Sequence, residues 1–128
     1  MGADLYIEKM ERNKQYTDWR TGVDVGYFRD SYNDSNLLNQ LDLSYWTLDR
    51  EHPEWFEEDE QFGNDNLTST GARKLLKEIQ SRRHMLEGTF VEWSDEGKDF
   101  KYFPEKFDDL VAFLTKAIEL DSSIIWSV

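Results

Sequence analysis

The stretch Val25–Trp46, VGYFRDSYNDSNLLNQLDLSYW, decides the predicted fold, because it combines five aromatic residues with a dense set of short polar ones. The run Asn33-Asp34-Ser35 is a turn and helix-cap signal, since short side-chain oxygens accept hydrogen bonds from free amide groups. A short helix is predicted from about Asn36, with three leucines on one face. These leucines are Leu37, Leu38 and Leu41.

This block has two interpretations. Most buried polar groups are paired within the fold, which favours a packed corner whose polar side chains satisfy the backbone. The alternative is the wall of a binding pocket, in a small-ligand-binding or weakly enzymatic domain. There Arg29 would bind an anionic group, and Asp30 and Asp34 would act as a paired acid and base, which requires that burial separate their pKa values. The residues of this alternative site are Tyr27, Arg29, Asp30, Tyr32 and Asn33.

Three motifs are similar to those of a family of small, uncharacterised bacterial and phage-borne proteins. They are MGADLYI at the start of the sequence, GYFRDSYN in the block above and LVAFLTKAIEL near the end. Because the motifs are spread along the chain, the resemblance covers all of it. It implies one compact domain and a prokaryotic or phage origin, and it implies no activity or site.

The flanking sequence predicts a single α+β domain over residues 1–128. Residues 3–8 alternate between apolar and polar, as in a half-buried strand, and the apolar residues 122–128 predict a second strand. Residues 89–103 predict a hairpin around Gly97. Helical periodicity predicts the two main helices, over about 68–86 and 104–120. The expected fold is a small, mostly antiparallel sheet with these helices packed on it.

The composition excludes several classes of function. With 27 acidic and 15 basic residues, the net charge is −12. Such a surface repels nucleic acid and anionic membranes, so we expect neither as a direct partner. The sequence contains no cysteine, which excludes disulfides and thiolate chemistry. It shows no signal peptide and no apolar run of about 20 residues. A cytoplasmic location is therefore predicted, while the oligomeric state stays open.

No motif indicates a cofactor, a metal or a catalytic centre. The sequence lacks a glycine-rich phosphate loop, H-E-x-x-H and G-x-S-x-G. Of the two histidines, His52 lies between Glu51 and Pro53, where ligand count and spacing favour a plain loop histidine over a metal ligand. We therefore expect a non-enzymatic protein without a cofactor.

The segment of residues 49–66, DREHPEWFEEDEQFGNDN, carries the main functional hypothesis. It holds eight acidic residues and one basic residue, and is predicted to be an acidic loop with one helical turn near Pro53. Carboxylates can steer a basic protein while aromatic side chains anchor it. The partner-binding residues would be Trp55, Phe56, Glu57, Glu58, Asp59 and Glu60.

This hypothesis predicts that Trp55 and Phe56 are exposed. The expected partner is a basic protein, such as a nucleic-acid-binding protein, and the resemblance to phage-borne proteins suggests a host protein. The alternative is a solvated loop whose aromatic residues pack back into the core.

Overall fold

The fold is that of a computed structural model, which describes residues 2–10, 26–31, 37–58, 65–86 and 103–127. Five strands form one antiparallel sheet in the order β2-β1-β5-β4-β3. They are β1 (Gly2–Ile7), β2 (Tyr27–Ser31), β3 (Phe56–Glu58), β4 (Asp65–Leu67) and β5 (Ile124–Ser127). Helices accompany the sheet, so the α+β fold predicted from the sequence is confirmed.

Strand β5 lies in the middle of this sheet, which accounts for its apolar residues. In β1, Leu5 pairs with Phe28 of β2 on one side and with Trp126 of β5 on the other. On its other side, β5 pairs with β4, where Ile124 lies opposite Leu67. These side chains belong to one buried apolar cluster. Pairing with β1 on one side and β4 on the other leaves neither edge of β5 open.

Within the described residues, four α-helices and two 3₁₀ turns accompany the strands. The helices are α1 (Leu37–Gln40), α2 (Leu48–Glu51), α3 (Ser69–Ser81) and α4 (Phe103–Glu119). The 3₁₀ turns are Pro53–Trp55 and Arg83–Leu86. The two predicted main helices correspond to α3 with the turn that follows it, and to α4. The three leucines of the predicted short helix are fully buried around α1.

Thr68 caps the start of helix α3, and Gly71 allows the helix to pack closely against the turn Pro53–Trp55. The Thr68 hydroxyl accepts a hydrogen bond from the Gly71 amide at 2.9 Å, and donates one to the Trp55 carbonyl at 3.1 Å. A Cβ at position 71 would lie far inside contact distance of that carbonyl oxygen, and 2.9 Å from Leu67 Cδ1. Glycine therefore lets α3 lie directly against the turn that ends at Trp55.

The strands β2, β3 and β4 differ from the expectations. Residues 27–31, for which no strand was predicted, extend the sheet beside β1. In the segment 49–66, the helical turn predicted near Pro53 is confirmed as the 3₁₀ turn Pro53–Trp55. The rest of its described part contains the end of α2 and two paired strands where a loop was expected. Strands this short give too few alternating positions for a periodic signal. The hairpin predicted at 89–103 falls outside the described residues, except that residue 103 begins α4.

Candidate functional site

A group of acidic residues lies along β3, at one outer edge of the five-stranded sheet, and on the neighbouring elements. We call this surface the acidic edge. It consists of Asp49, Glu51, Glu54, Glu57, Glu58 and Asp65. All of them are exposed except Asp49, which is half-buried. Arg50 is the one basic residue in the described part of the segment 49–66.

The aromatic residue expected to anchor a partner is buried instead. Trp55 is 6% exposed and belongs to the apolar core. Its ring stacks on His52 with 3.8 Å between ring centroids and 6° between ring planes, and His52 Nδ1 lies 3.7 Å from Glu54. The 3₁₀ turn begun by Pro53 directs the indole inward, so the expected exposure of Trp55 is wrong. The alternative of aromatic residues packing into the core describes this position.

Phe56 and Glu57 point to opposite faces of β3. Phe56 is half-buried, and its ring contacts Trp126 edge-on with 5.4 Å between centroids. The next residue, Glu57, points to the opposite face, where its Oε1 accepts a 2.8 Å hydrogen bond from the Ser123 hydroxyl. The described part of the edge thus presents carboxylates to solvent, and its aromatic side chains support them from the core side.

Carboxylates at this edge crowd one another. Asp65 is paired with Glu58 across the two strands, and its carboxyl group also meets that of Asp49. The pKa of Asp65 is raised from 3.8 by burial first, then by the hydrogen bond with Asp49 and by the negative charges of Asp49 and Glu58. Like charges held this close destabilise the free protein, and a cation placed among them would relieve the repulsion.

In the alternative pocket, Asp30 is used by the fold itself. Its side chain is buried, 2% exposed. One carboxylate oxygen accepts hydrogen bonds from the Leu37 amide at 3.0 Å and the Tyr45 hydroxyl at 2.6 Å. The other oxygen lies 3.1 Å from the Lys106 ammonium. Asp30 therefore joins β2 to the start of α1, to Tyr45 and to α4, which matches the interpretation of a packed corner.

Tyr45 and Lys106 complete this buried group, and the candidate sites predicted from the sequence include neither. Burial, followed by the charge and hydrogen bond of Asp30, raises the pKa of Tyr45 well above 10.0. A sequence signal for Lys106 does exist, since it stands four residues before Leu110, on the flank of the apolar stripe of α4. A lysine at such a position needs a buried anion or a path to solvent.

Tyr27 and Arg29 lie on the other face of the sheet and meet Asp4. The Tyr27 hydroxyl donates a 2.5 Å hydrogen bond to Asp4 Oδ1, and Arg29 Nε is 3.8 Å from the same oxygen. Tyr6 stacks on Tyr27 with 5.0 Å between ring centroids. Burial and the Asp4 carboxylate raise the pKa of Tyr27. Arg29 and Asp30 thus point to opposite faces of β2, which separates two members of the predicted pocket.

Four predicted site residues fall outside the described part of the chain. They are Tyr32 and Asn33 of the alternative pocket, and Asp59 and Glu60 of the acidic segment. Asp34, the second carboxylate of the acid–base hypothesis, also lies outside the described residues. Among the residues that are described, no group of three or more His, Asp or Glu side chains is arranged to hold a metal ion. No helix within the same residues is long and apolar enough to cross a membrane.

Comparison with known proteins gives no relative: no protein-family model matches the chain, and no curated protein or solved structure matches it significantly. The geometry above therefore carries the functional argument alone.

Proposed function

We propose that the chain is a non-enzymatic protein–protein interaction module, which binds a basic protein surface through the acidic edge. The observation that carries the proposal is the crowding of Asp49, Glu58 and Asp65, because folding holds these carboxylates together at a cost. A lysine or arginine from a partner would remove that cost on binding. Attraction of this kind accelerates association and selects for partners of opposite charge.

The partner class follows from the charge and from the position of the aromatic residues. Since Trp55 belongs to the core, binding energy comes mainly from charge pairs and not from an inserted indole. Nucleic-acid-binding proteins present clustered lysine and arginine on one face, and so offer the best complement to six carboxylates. The acidic edge would then occupy a groove that otherwise holds phosphates. In this proposal the chain is phage-borne and its basic partner is a protein of the host.

The test uses two charge-reversal variants matched in charge. The edge variant is Glu54→Lys with Glu58→Lys, which leaves the Glu57–Ser123 hydrogen bond intact. The control is Asp108→Lys with Asp109→Lys, at two exposed positions of α4. Each protein is used to capture partners from a bacterial lysate. The captured protein is then purified, and its affinity for each variant is measured by calorimetry with and without competing duplex DNA.

The proposal predicts a basic protein bound at defined stoichiometry by wild type and control. The edge variant should lose at least about tenfold in affinity, equivalent to about 1.4 kcal/mol. Added salt should weaken binding, since screening acts on exposed charge pairs, and competing DNA should displace the chain. If both variants lose affinity equally, net charge alone governs binding and the acidic edge is not the site. Failure to bind any basic protein would reject the proposal.

A further inference from the structure

The exposed face of α3 carries a second charged surface of opposite sign. Arg73, Lys74 and Lys77 are all exposed, and Lys77 stands four residues after Arg73 and three after Lys74, spacings that place it beside both on the helix surface. We call these three residues the basic stripe. The opposite side of α3 is buried through Ala72, Leu75 and Ile79, so the stripe stays outside the core.

These three cations are not neutralised by the described part of the chain. Within it, Arg73, Lys74 and Lys77 form no ion pair. The neighbouring Arg82, by contrast, forms a 2.9 Å ion pair with Glu78 and also donates to the Leu41 carbonyl. In particular, no ion pair joins the described residues of the acidic segment 49–66 to the basic stripe.

The two charged surfaces adjoin each other along the chain and in space. The Thr68 amide just before α3 donates a 2.9 Å hydrogen bond to the Trp55 carbonyl, in the middle of the acidic segment. From there α3 rises about 1.5 Å per residue, so Lys77 lies about 12 Å beyond the first residue of the helix. One end of this region is therefore acidic, and the basic stripe follows it along the helix.

We propose that the basic stripe docks the acidic edge of a second copy of this chain. Two copies placed antiparallel about a two-fold axis bring acid against base twice, and such an isologous contact closes at a dimer. Because each molecule carries both an acidic and a basic surface, a second copy complements the basic stripe better than a nucleic acid does. A polyanion following α3 would have three cations to bind, and would meet the carboxylates of the acidic edge at the start of the helix.

Each copy carries a net charge of −12, so the dimer must form against overall repulsion. At about 0.15 M salt the screening length is about 8 Å, which reduces the distant repulsion and leaves the touching charges to dominate. The dimer is therefore expected to be reversible and to depend on concentration. A basic partner would compete with it, because both use the acidic edge.

Charge exchange between the two surfaces provides the test. The stripe variant is Lys74→Glu with Lys77→Glu, and the edge variant is again Glu54→Lys with Glu58→Lys. The variant that combines all four changes keeps the net charge at −12. Association of each purified protein is measured by sedimentation equilibrium from micromolar to millimolar concentration. Circular dichroism spectra establish that each variant is folded, and Asp108→Lys with Asp109→Lys is the control.

Wild type, the control and the four-change variant should all dimerise. The stripe and edge variants should each lose at least about tenfold in dimer affinity, and should recover it when mixed with each other. A wild type that stays monomeric over this range would overturn the inference. So would a mixture that fails to recover, or duplex DNA bound by the stripe of a monomeric wild type. The partner proposal above has a separate readout, because capture of a basic protein does not require the dimer.

Discussion

The buried group around Asp30 offers the sharpest test of how this fold is held together. We predict that Lys106→Met destabilises the protein because it leaves the Asp30 carboxylate buried without its cation. Removing one partner of a fully buried ion pair costs about 3–5 kcal/mol. The Lys106 side chain is 16% exposed, so water can reach the site in part. We therefore expect a cost of about 2–3 kcal/mol in the free energy of unfolding.

The same change should cost far less once the buried charge is absent. In an Asp30→Asn background the side-chain oxygen can still accept from the Leu37 amide, but Lys106 has no carboxylate to neutralise. There we expect Lys106→Met to cost less than about 1 kcal/mol. The difference between the two backgrounds is the coupling energy of the pair, and it should exceed about 1 kcal/mol.

The assay is urea unfolding at neutral pH of wild type, both single variants and the double variant. Equal slopes in the four transitions would show that the variants unfold from comparable states. Tyr27→Phe is the control, since it removes a similar tyrosine–aspartate hydrogen bond in which the acceptor Asp4 remains 26% exposed. Its expected cost is below about 1 kcal/mol. If Lys106→Met costs the same in both backgrounds, the ion pair contributes nothing specific and the reasoning fails.

Three further predictions concern single positions. Gly71→Ala gains about 1 kcal/mol of helix propensity, but the clash with the Trp55 carbonyl outweighs it, so unfolding in urea should show a net loss of about 1–3 kcal/mol. Asp65→Asn should add about 0.2–1 kcal/mol at neutral pH. Since the pKa of Asp65 is raised when folded, repulsion weakens on acidification, and the gain should vanish below pH 3.8. Tyr45→Phe should cost about 2 kcal/mol at neutral pH. The raised pKa of Tyr45 keeps it protonated when folded, so the wild-type advantage should shrink as pH rises past 10.0 and the unfolded state ionises.

The sequence predicted the parts of this fold that depend on local periodicity. Ala3, Leu5 and Ile7 alternate along β1, and their burial followed from that pattern alone. The helical spacing of the apolar residues of α3 likewise predicted that one side of this helix is buried. Strands β3 and β4 have three residues each, and the acidic residues of β3 are typical of a loop, so only the pairing with neighbouring strands reveals them.

The surroundings of the candidate site residues were less accessible to sequence reasoning, because burial depends on contacts between residues far apart in the chain. Asp30 and Lys106 meet only after β2 and α4 have packed together. Trp55 lies among carboxylates in the sequence, yet its indole is buried, because Pro53 begins a turn that directs it to the core. The acidic character of residues 49–66 could be predicted, and the contact of Asp49 with Asp65 could not.

The central position of β5 also determines the order in which the sheet can assemble. Among the described strands β5 is the last along the chain, and it joins β1 to β4, with Asp4 of β1 opposite Ser127. During synthesis, the pairs β1–β2 and β3–β4 are made while the strand that unites them is still missing. Each pair then has an open side that another chain can occupy. The pairing of β5 with β1 joins residues far apart in the chain, and pairing of this kind slows folding. This sheet is therefore most vulnerable to aggregation just before its middle strand emerges.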